Sequence, residues 1–156
     1  MKKSRVITLG NILIGGDNPP VIQTMITTPL NNFDKALAEA NSAYQLDCKV
    51  VRTAFKNADE EKSLKDLVKN FKGEIIADIH FDYRLALMAI DAGASGVRFN
   101  PGNVGGKERV KEIIESAKKR PEMAIRIGVN GGSLEKEILN KYNRVTWEGL
   151  VESSLF

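Results

Sequence analysis

The chain has 156 residues, 42% of them hydrophobic, and 23 lysines and arginines against 20 aspartates and glutamates give a formal net charge of +3. This is one domain's worth of chain with enough apolar content for a core, too short for two ordinary domains and too hydrophobic for a disordered tail. One cysteine, Cys48, and one histidine, His80, exclude an intramolecular disulfide, an all-histidine metal cage, and a zinc or iron–sulfur site built from this chain's thiols alone.

No apolar run approaches the roughly 20 residues of a membrane span. No apolar signal-peptide core follows the basic Met1-Lys2-Lys3-Ser4. A cytoplasmic chain with no membrane partner is expected. Lysines alternate with glutamates, as in Lys107-Glu108-Arg109 and Lys111-Glu112. That is the pattern of solvated helix faces, not the basic stripe with interleaved aromatics of a nucleic-acid binder.

In chain order, residues 4–16 read as a hairpin, Val6–Leu9 and Ile12–Ile14 around a Gly10-Asn11 turn. Strand-like runs then start near Val21, Lys49, Glu74, Gly96 and Ala124, 22–28 residues apart. Between them lie amphipathic stripes at i, i+3, i+4, i+7: Leu64, Leu67, Val68, Phe71; Leu85, Met88, Ala89, Ala92; and Val110, Ile113, Ile114, Ala117. Asp34, Asp82 and Ser133 stand where N-caps belong, and Gly93 where a helix stops. The stretch from Thr146 to Phe156 reads as a last helix, capped by Thr146 and packed through Trp147. The rhythm is a run of βα units, hence an α/β fold with a parallel sheet. Five repeating units fall short of the eight, and about 250 residues, of a closed (β/α)₈ barrel of TIM type. A doubly wound open sheet is the rival, and periodicity does not choose between them.

Side chains alternate across a strand, so i, i+2 and i+4 share a face. One face carries Val21, Gln23, Met25; Val50, Arg52, Ala54; Ile76, Asp78, His80; Arg98, Asn100; and Arg126, Gly128, Asn130. The other is apolar: Val51, Ile75, Ala77, Ile79, Val97, Phe99, Ile125 and Ile127. The polar positions gather toward the C-terminal ends of the strands, where parallel-sheet enzymes place their chemistry. Three arginines, Arg52, Arg98 and Arg126, share that face with a single carboxylate, Asp78. Either carboxylates pair with them, or the excess positive charge meets an anion, for which the planar guanidinium suits phosphate. Two glycine-bearing loops, Asn100–Gly106 and Asn130–Glu135, follow two of these strands into helices and offer backbone N–H groups. Simple turn chemistry explains them equally well. Cys48, at the start of a strand, reads as a core thiol.

Several blocks stand in order: Val21-Ile22-Gln23-Thr24-Met25, Val51-Arg52, Ala77-Asp78-Ile79-His80-Phe81-Asp82-Tyr83-Arg84-Leu85-Ala86, Arg98-Phe99-Asn100-Pro101-Gly102-Asn103-Val104-Gly105 and Arg126-Ile127-Gly128-Val129-Asn130-Gly131-Gly132-Ser133-Leu134-Glu135-Lys136. With these the chain resembles the hydroxymethylbutenyl diphosphate synthases of the non-mevalonate isoprenoid pathway. Thr24 stands where that family often has serine, and Gly131 where it often has alanine. The resemblance implies an oxidoreductase that reductively converts 2-C-methyl-D-erythritol 2,4-cyclodiphosphate to 4-hydroxy-3-methylbut-2-enyl diphosphate. It implies a [4Fe-4S] cluster on a C-terminal domain, ferredoxin or flavodoxin as electron donor, and a homodimer. By resemblance Arg52, Arg98, Arg126, Asn100 and Asn130 hold the substrate, and Asp78 and His80 line the same mouth. The likeness stops in the fifth βα unit. Residues 1–156 are therefore expected to be the N-terminal part of the barrel, truncated to about five units after the hairpin. The iron–sulfur domain would be absent from this chain, and the chain alone inactive in ring opening. Two other readings stay open: a barrel of the dihydropteroate synthase type, which takes a diphosphate without redox chemistry, and a non-catalytic half barrel that only binds.

Overall fold

The computed structural model describes residues 3–155. The chain opens with an antiparallel hairpin, β1 (Ile7–Leu9) and β2 (Ile12–Ile14), in the register Ile7↔Ile14 and Leu9↔Ile12. Its turn needs glycine: Gly10 has φ +58°, and a Cβ there would sit 1.7 Å from Glu74 Oε2. Five strands then form one parallel sheet in chain order: β3 (Gln23–Ile26), β4 (Val50–Ala54), β5 (Glu74–Asp78), β6 (Gly96–Phe99) and β7 (Ala124–Ile127). Between and after them run α1 (Phe33–Gln45), α2 (Glu61–Asn70), α3 (Tyr83–Asp91), α4 (Lys107–Ala117), α5 (Lys136–Tyr142) and α6 (Trp147–Leu155). Phe156 and the first two residues lie outside the described range.

A doubly wound sheet reverses its strand order at a switch point; here every strand pairs with its neighbour in sequence and none reverses. The two faces are also unlike. Val51, Ile75, Ala77, Ile79, Val97 and Phe99 lie in one core with the apolar stripes of α1 to α4. The opposite face holds a smaller cluster in which Leu9 of the hairpin packs on Val50 and Ile76, with Ile12, Ile14 and Ala124 around them. Helices on one face and a plug on the other are the layering of a barrel wall.

Local chemistry sets several boundaries. Asp82 caps α3, its Oδ1 accepting from the Arg84 N–H at 2.9 Å. Gly93, at φ +94°, follows that helix in the left-handed conformation. Thr146 caps α6, its Oγ1 accepting from the Gly149 N–H at 3.1 Å. Two expected caps are elsewhere. Asn32 holds the cap position of α1 and Asp34 lies inside the first turn, where its charge still suits the helix dipole. Ser133 lies in a 3₁₀ turn, Gly131–Ser133; Leu134 is extended and α5 starts only after Glu135. Three apolar residues expected in the core are on the surface: Ile114, Ile127 and Trp147, the last 72% exposed. Ile127 sits on the edge strand β7, and Trp147 is the first residue of α6, which packs chiefly on α5.

Candidate functional site

Asp78, at the C-terminal end of β5, is the hub of the inner face. It is 4% exposed. Its Oδ1 accepts from Arg98 Nη1 at 3.1 Å, and its Oδ2 lies 3.4 Å from Arg52 Nε. Parallel register makes this cluster: Asp78 stands opposite Arg98, and Arg98 opposite Arg126 on the next strand. One carboxylate does not satisfy two guanidinium forks, and Arg52 Nε is buried with no hydrogen-bond partner among the described residues. The alternative in which carboxylates pair with the arginines is thus met by Asp78 for Arg52 and Arg98 and not for Arg126. Arg126 has no carboxylate partner among the described residues; its Nη1 donates to Gln23 Oε1, across the inner face, at 3.3 Å. Arg52 Nη2 lies 3.2 Å from the Met25 sulfur.

Three contributors were not singled out in the sequence. Gln23 and Met25 fall on the predicted inner face but carry no charge to draw notice. Gly128 matters for what it lacks: a Cβ there would come within 2.3 to 2.7 Å of the Arg98 guanidinium. Below the arginines lies a cavity of about 410 Å³, with Ile7, Leu9 and Ile14 of the hairpin as its floor and Gln23 and Arg126 on its wall.

Asn100 and Asn130 follow β6 and β7, and each shapes its own loop. Asn100 Oδ1 accepts from the Gly102 N–H at 3.0 Å, and Asn130 Oδ1 from the Gly132 N–H at 3.1 Å. The first loop reaches α4 through Gly105 and Gly106, at φ +100° and +88°, and no side chain caps that helix. His80 is exposed and lies beyond the end of β5. Its ring stands edge-on to Phe81, and it lines a separate cavity with Phe55, Lys56, Asp82 and Leu85. The structure therefore brings Arg52, Asp78, Arg98 and Arg126 together, and leaves His80 out of that cluster. Beside His80, the Arg84 guanidinium and N–H hold the Asp82 carboxyl below its ordinary value.

The opposite, N-terminal end of the sheet has a cavity of about 320 Å³ with charges of its own. There Arg120 is already answered: it donates to the carbonyls of Ile90 and Ala94 at 2.8 and 3.1 Å and pairs with Glu122 at 2.8 Å. At the C-terminal mouth, by contrast, Arg126 has no carboxylate partner among the described residues. Cys48 is buried two residues before β4, its Sγ 3.2 Å from the Val50 carbonyl oxygen, as a core thiol would be.

The family model of the GcpE TIM-barrel domain matches residues 4–156. The chain belongs to that family. It is 46% identical over 153 residues to the 4-hydroxy-3-methylbut-2-en-1-yl diphosphate synthase (flavodoxin) of Clostridium acetobutylicum, covering 98% of this chain and 44% of that protein. The proteins of the same name from Caldanaerobacter subterraneus and Fusobacterium nucleatum are 44% and 41% identical. They are matched over 99% of this chain and 43% and 44% of their own lengths. The chain therefore spans less than half the length of these curated relatives. A solved phospho-2-dehydro-3-deoxyheptonate aldolase from Thermotoga maritima overlays with a TM-score of 0.43 at 14% identity, covering 79% of this chain and 45% of that one, a likeness too slight to argue from. As a GcpE barrel domain, the five-stranded sheet is barrel wall, and the arginines stand at the end where such barrels place their sites.

Proposed function

We propose that residues 1–156 are the N-terminal, substrate-holding part of a (β/α)₈ barrel in an enzyme that converts 2-C-methyl-D-erythritol 2,4-cyclodiphosphate to 4-hydroxy-3-methylbut-2-enyl diphosphate. One observation carries this: toward the C-terminal ends of neighbouring strands the inner face gathers three guanidiniums around a single carboxylate among the described residues, Asp78, while Glu74 on the same face is taken up by the hairpin at the foot. A diphosphate supplies the missing negative charge, and guanidinium forks match its oxygens bidentately. In this reading Arg98 and Arg126 grip the diphosphate, Asp78 orients Arg98 and Arg52, and Asn100 and Asn130 hold the loops that border it. His80 faces the substrate only from the rim. The names of the relatives favour flavodoxin over ferredoxin as electron donor, and a homodimer follows from the same resemblance.

A [4Fe-4S] cluster supplies electrons in that chemistry, and the residues of this chain do not fit one. The single thiol, Cys48, is buried at the foot of a strand against backbone carbonyls, whereas such clusters take about four protein ligands. Its ligands would lie outside this chain. What these residues do is bind and orient a dianion. Titration calorimetry with the cyclic diphosphate tests this. Arg126→Met should weaken binding about ten- to hundredfold, the worth of one charge-assisted contact, and leave the melting temperature unchanged. Unchanged affinity with lost stability would overturn the reading.

A further inference from the structure

Resting on that reading of the mouth, we propose that Gln23 of β3 is a positioning residue that holds Arg126 in place without neutralising it, while Met25 beside it steadies the Arg52 fork that Asp78 already pairs. An arginine that is to meet an anion has two needs that conflict. Left free, it loses rotamer freedom each time a ligand binds. Held by a carboxylate, it is oriented but its charge is already answered. A neutral acceptor meets both needs, because it fixes the fork and leaves the charge.

The inner face shows that division. β3 has no carboxylate; its two inward residues are an amide and a thioether. The Gln23 amide oxygen accepts from Arg126 Nη1 at 3.3 Å, and the Met25 sulfur lies 3.2 Å from Arg52 Nη2. The Gln23–Arg126 contact joins residues 103 positions apart, on the two edge strands of one sheet. It reaches across the inner face, over the cavity whose wall both residues form. By contrast Asp78, the carboxylate at the C-terminal end of that face, is shared between Arg52 and Arg98 from the middle strand. The cation farthest from Asp78 in the strand order is thus the one steered by an uncharged partner.

Glutamate and leucine at position 23 separate positioning from mere structure. Glutamate keeps an acceptor in place and adds a charge; leucine keeps the bulk and removes the acceptor. The probe is inorganic pyrophosphate, titrated calorimetrically into the 156-residue chain, with melting temperature read alongside. The expected result is a crossover. Gln23→Glu holds or raises the melting temperature through an ion pair with Arg126, yet binds pyrophosphate at least about tenfold more weakly. Gln23→Leu loses about three- to tenfold, because the fork is no longer oriented. A merely structural Gln23 gives the reverse order, with glutamate near wild type and leucine impaired. That order, or equal affinity in all three proteins, overturns the proposal. Arg126→Met is the control. If it binds pyrophosphate as well as wild type, or if wild type does not bind, the diphosphate reading itself fails and this proposal with it. If Arg126→Met is weakened while Gln23→Glu is not, only the positioning role is lost.

Discussion

Glu39 shows how a single side chain ties the mouth to the helical layer. From α1 its Oε1 accepts from the Thr27 N–H and Oγ1, both at 2.9 Å, and its Oε2 from the Thr28 N–H at 3.0 Å. Burial works against the charge, but these bonds outweigh it and hold the carboxyl at about 2, from an ordinary 4.5. The charged form is the one that folding favours. Its contribution is complete above about pH 4.5 and is lost as the pH falls through about 2. Glu39→Gln should cost about 1 kcal/mol at pH 7, since two of the three bonds are solvent-exposed. The gap between the two melting curves should close by about pH 2, and a gap that is constant with pH would contradict this. At this scale charge was legible and its absence was not. Arg52, Asp78, Arg98 and Arg126 stood out because several cations shared one face with one anion. Gln23, Met25 and Gly128 did not, because an amide, a thioether and a bare Cα acquire meaning only from what lies opposite them. His80 was legible as a polar residue in phase with Asp78, but β5 ends at Asp78 and the alternation no longer applies beyond it.

At the scale of elements, the hairpin is held to the foot of the sheet by one buried carboxylate. Glu74 is 9% exposed. It accepts from the Asn11 N–H at 2.9 Å, from Asn11 Nδ2 at 3.2 Å, and from the Ser95 hydroxyl. Gly10 also donates its N–H to the Glu122 carbonyl at 2.9 Å, so the turn is fixed both at β5 and at the turn just before β7. Glu74→Gln replaces an acceptor-only group with one whose NH₂ faces other donors. It should cost about 1–3 kcal/mol in denaturant melts, the range for a buried group left unsatisfied. Melting equal to wild type would show that apolar contact through Leu9 is enough. The helices and strands themselves were readable, because stripes at 3.6 and alternation at 2 are local facts. Caps were less so. Asp34 and Ser133 have the right chemistry, but the cap falls where the backbone leaves the extended region, and Asn32 and Glu135 occupy those places. Ile114 and Ile127 fit their local patterns, yet each is only partly covered, at 37% and 38% exposed.

For the whole molecule, a repeat of 22–28 residues specified βα units but not their arrangement. Strand order is a long-range property, and it is the unreversed order of five strands that distinguishes a barrel wall from a doubly wound sheet. That wall has two free edges among the described residues, β3 and β7. Ile22 and Met25 at one edge and Ile127 at the other are exposed, and so are Trp147, Val151 and Leu155 along α6. Open strand edges and contiguous apolar surface drive association. The 156-residue chain should therefore sediment as dimers or larger species at micromolar concentration, and a monomer there would contradict it. The central claim is that the uncompensated charge at the C-terminal mouth holds a diphosphate. Its most direct test is amide spectroscopy of the isotope-labelled chain during titration with 2-C-methyl-D-erythritol 2,4-cyclodiphosphate. Saturable shifts are expected at the mouth glycines Gly102, Gly105, Gly106, Gly128 and Gly131, to be lost in an Arg98→Met, Arg126→Met double variant. Shifts confined to Gly10, Gly73 and Gly93 at the foot, or no shifts at all, would contradict the account.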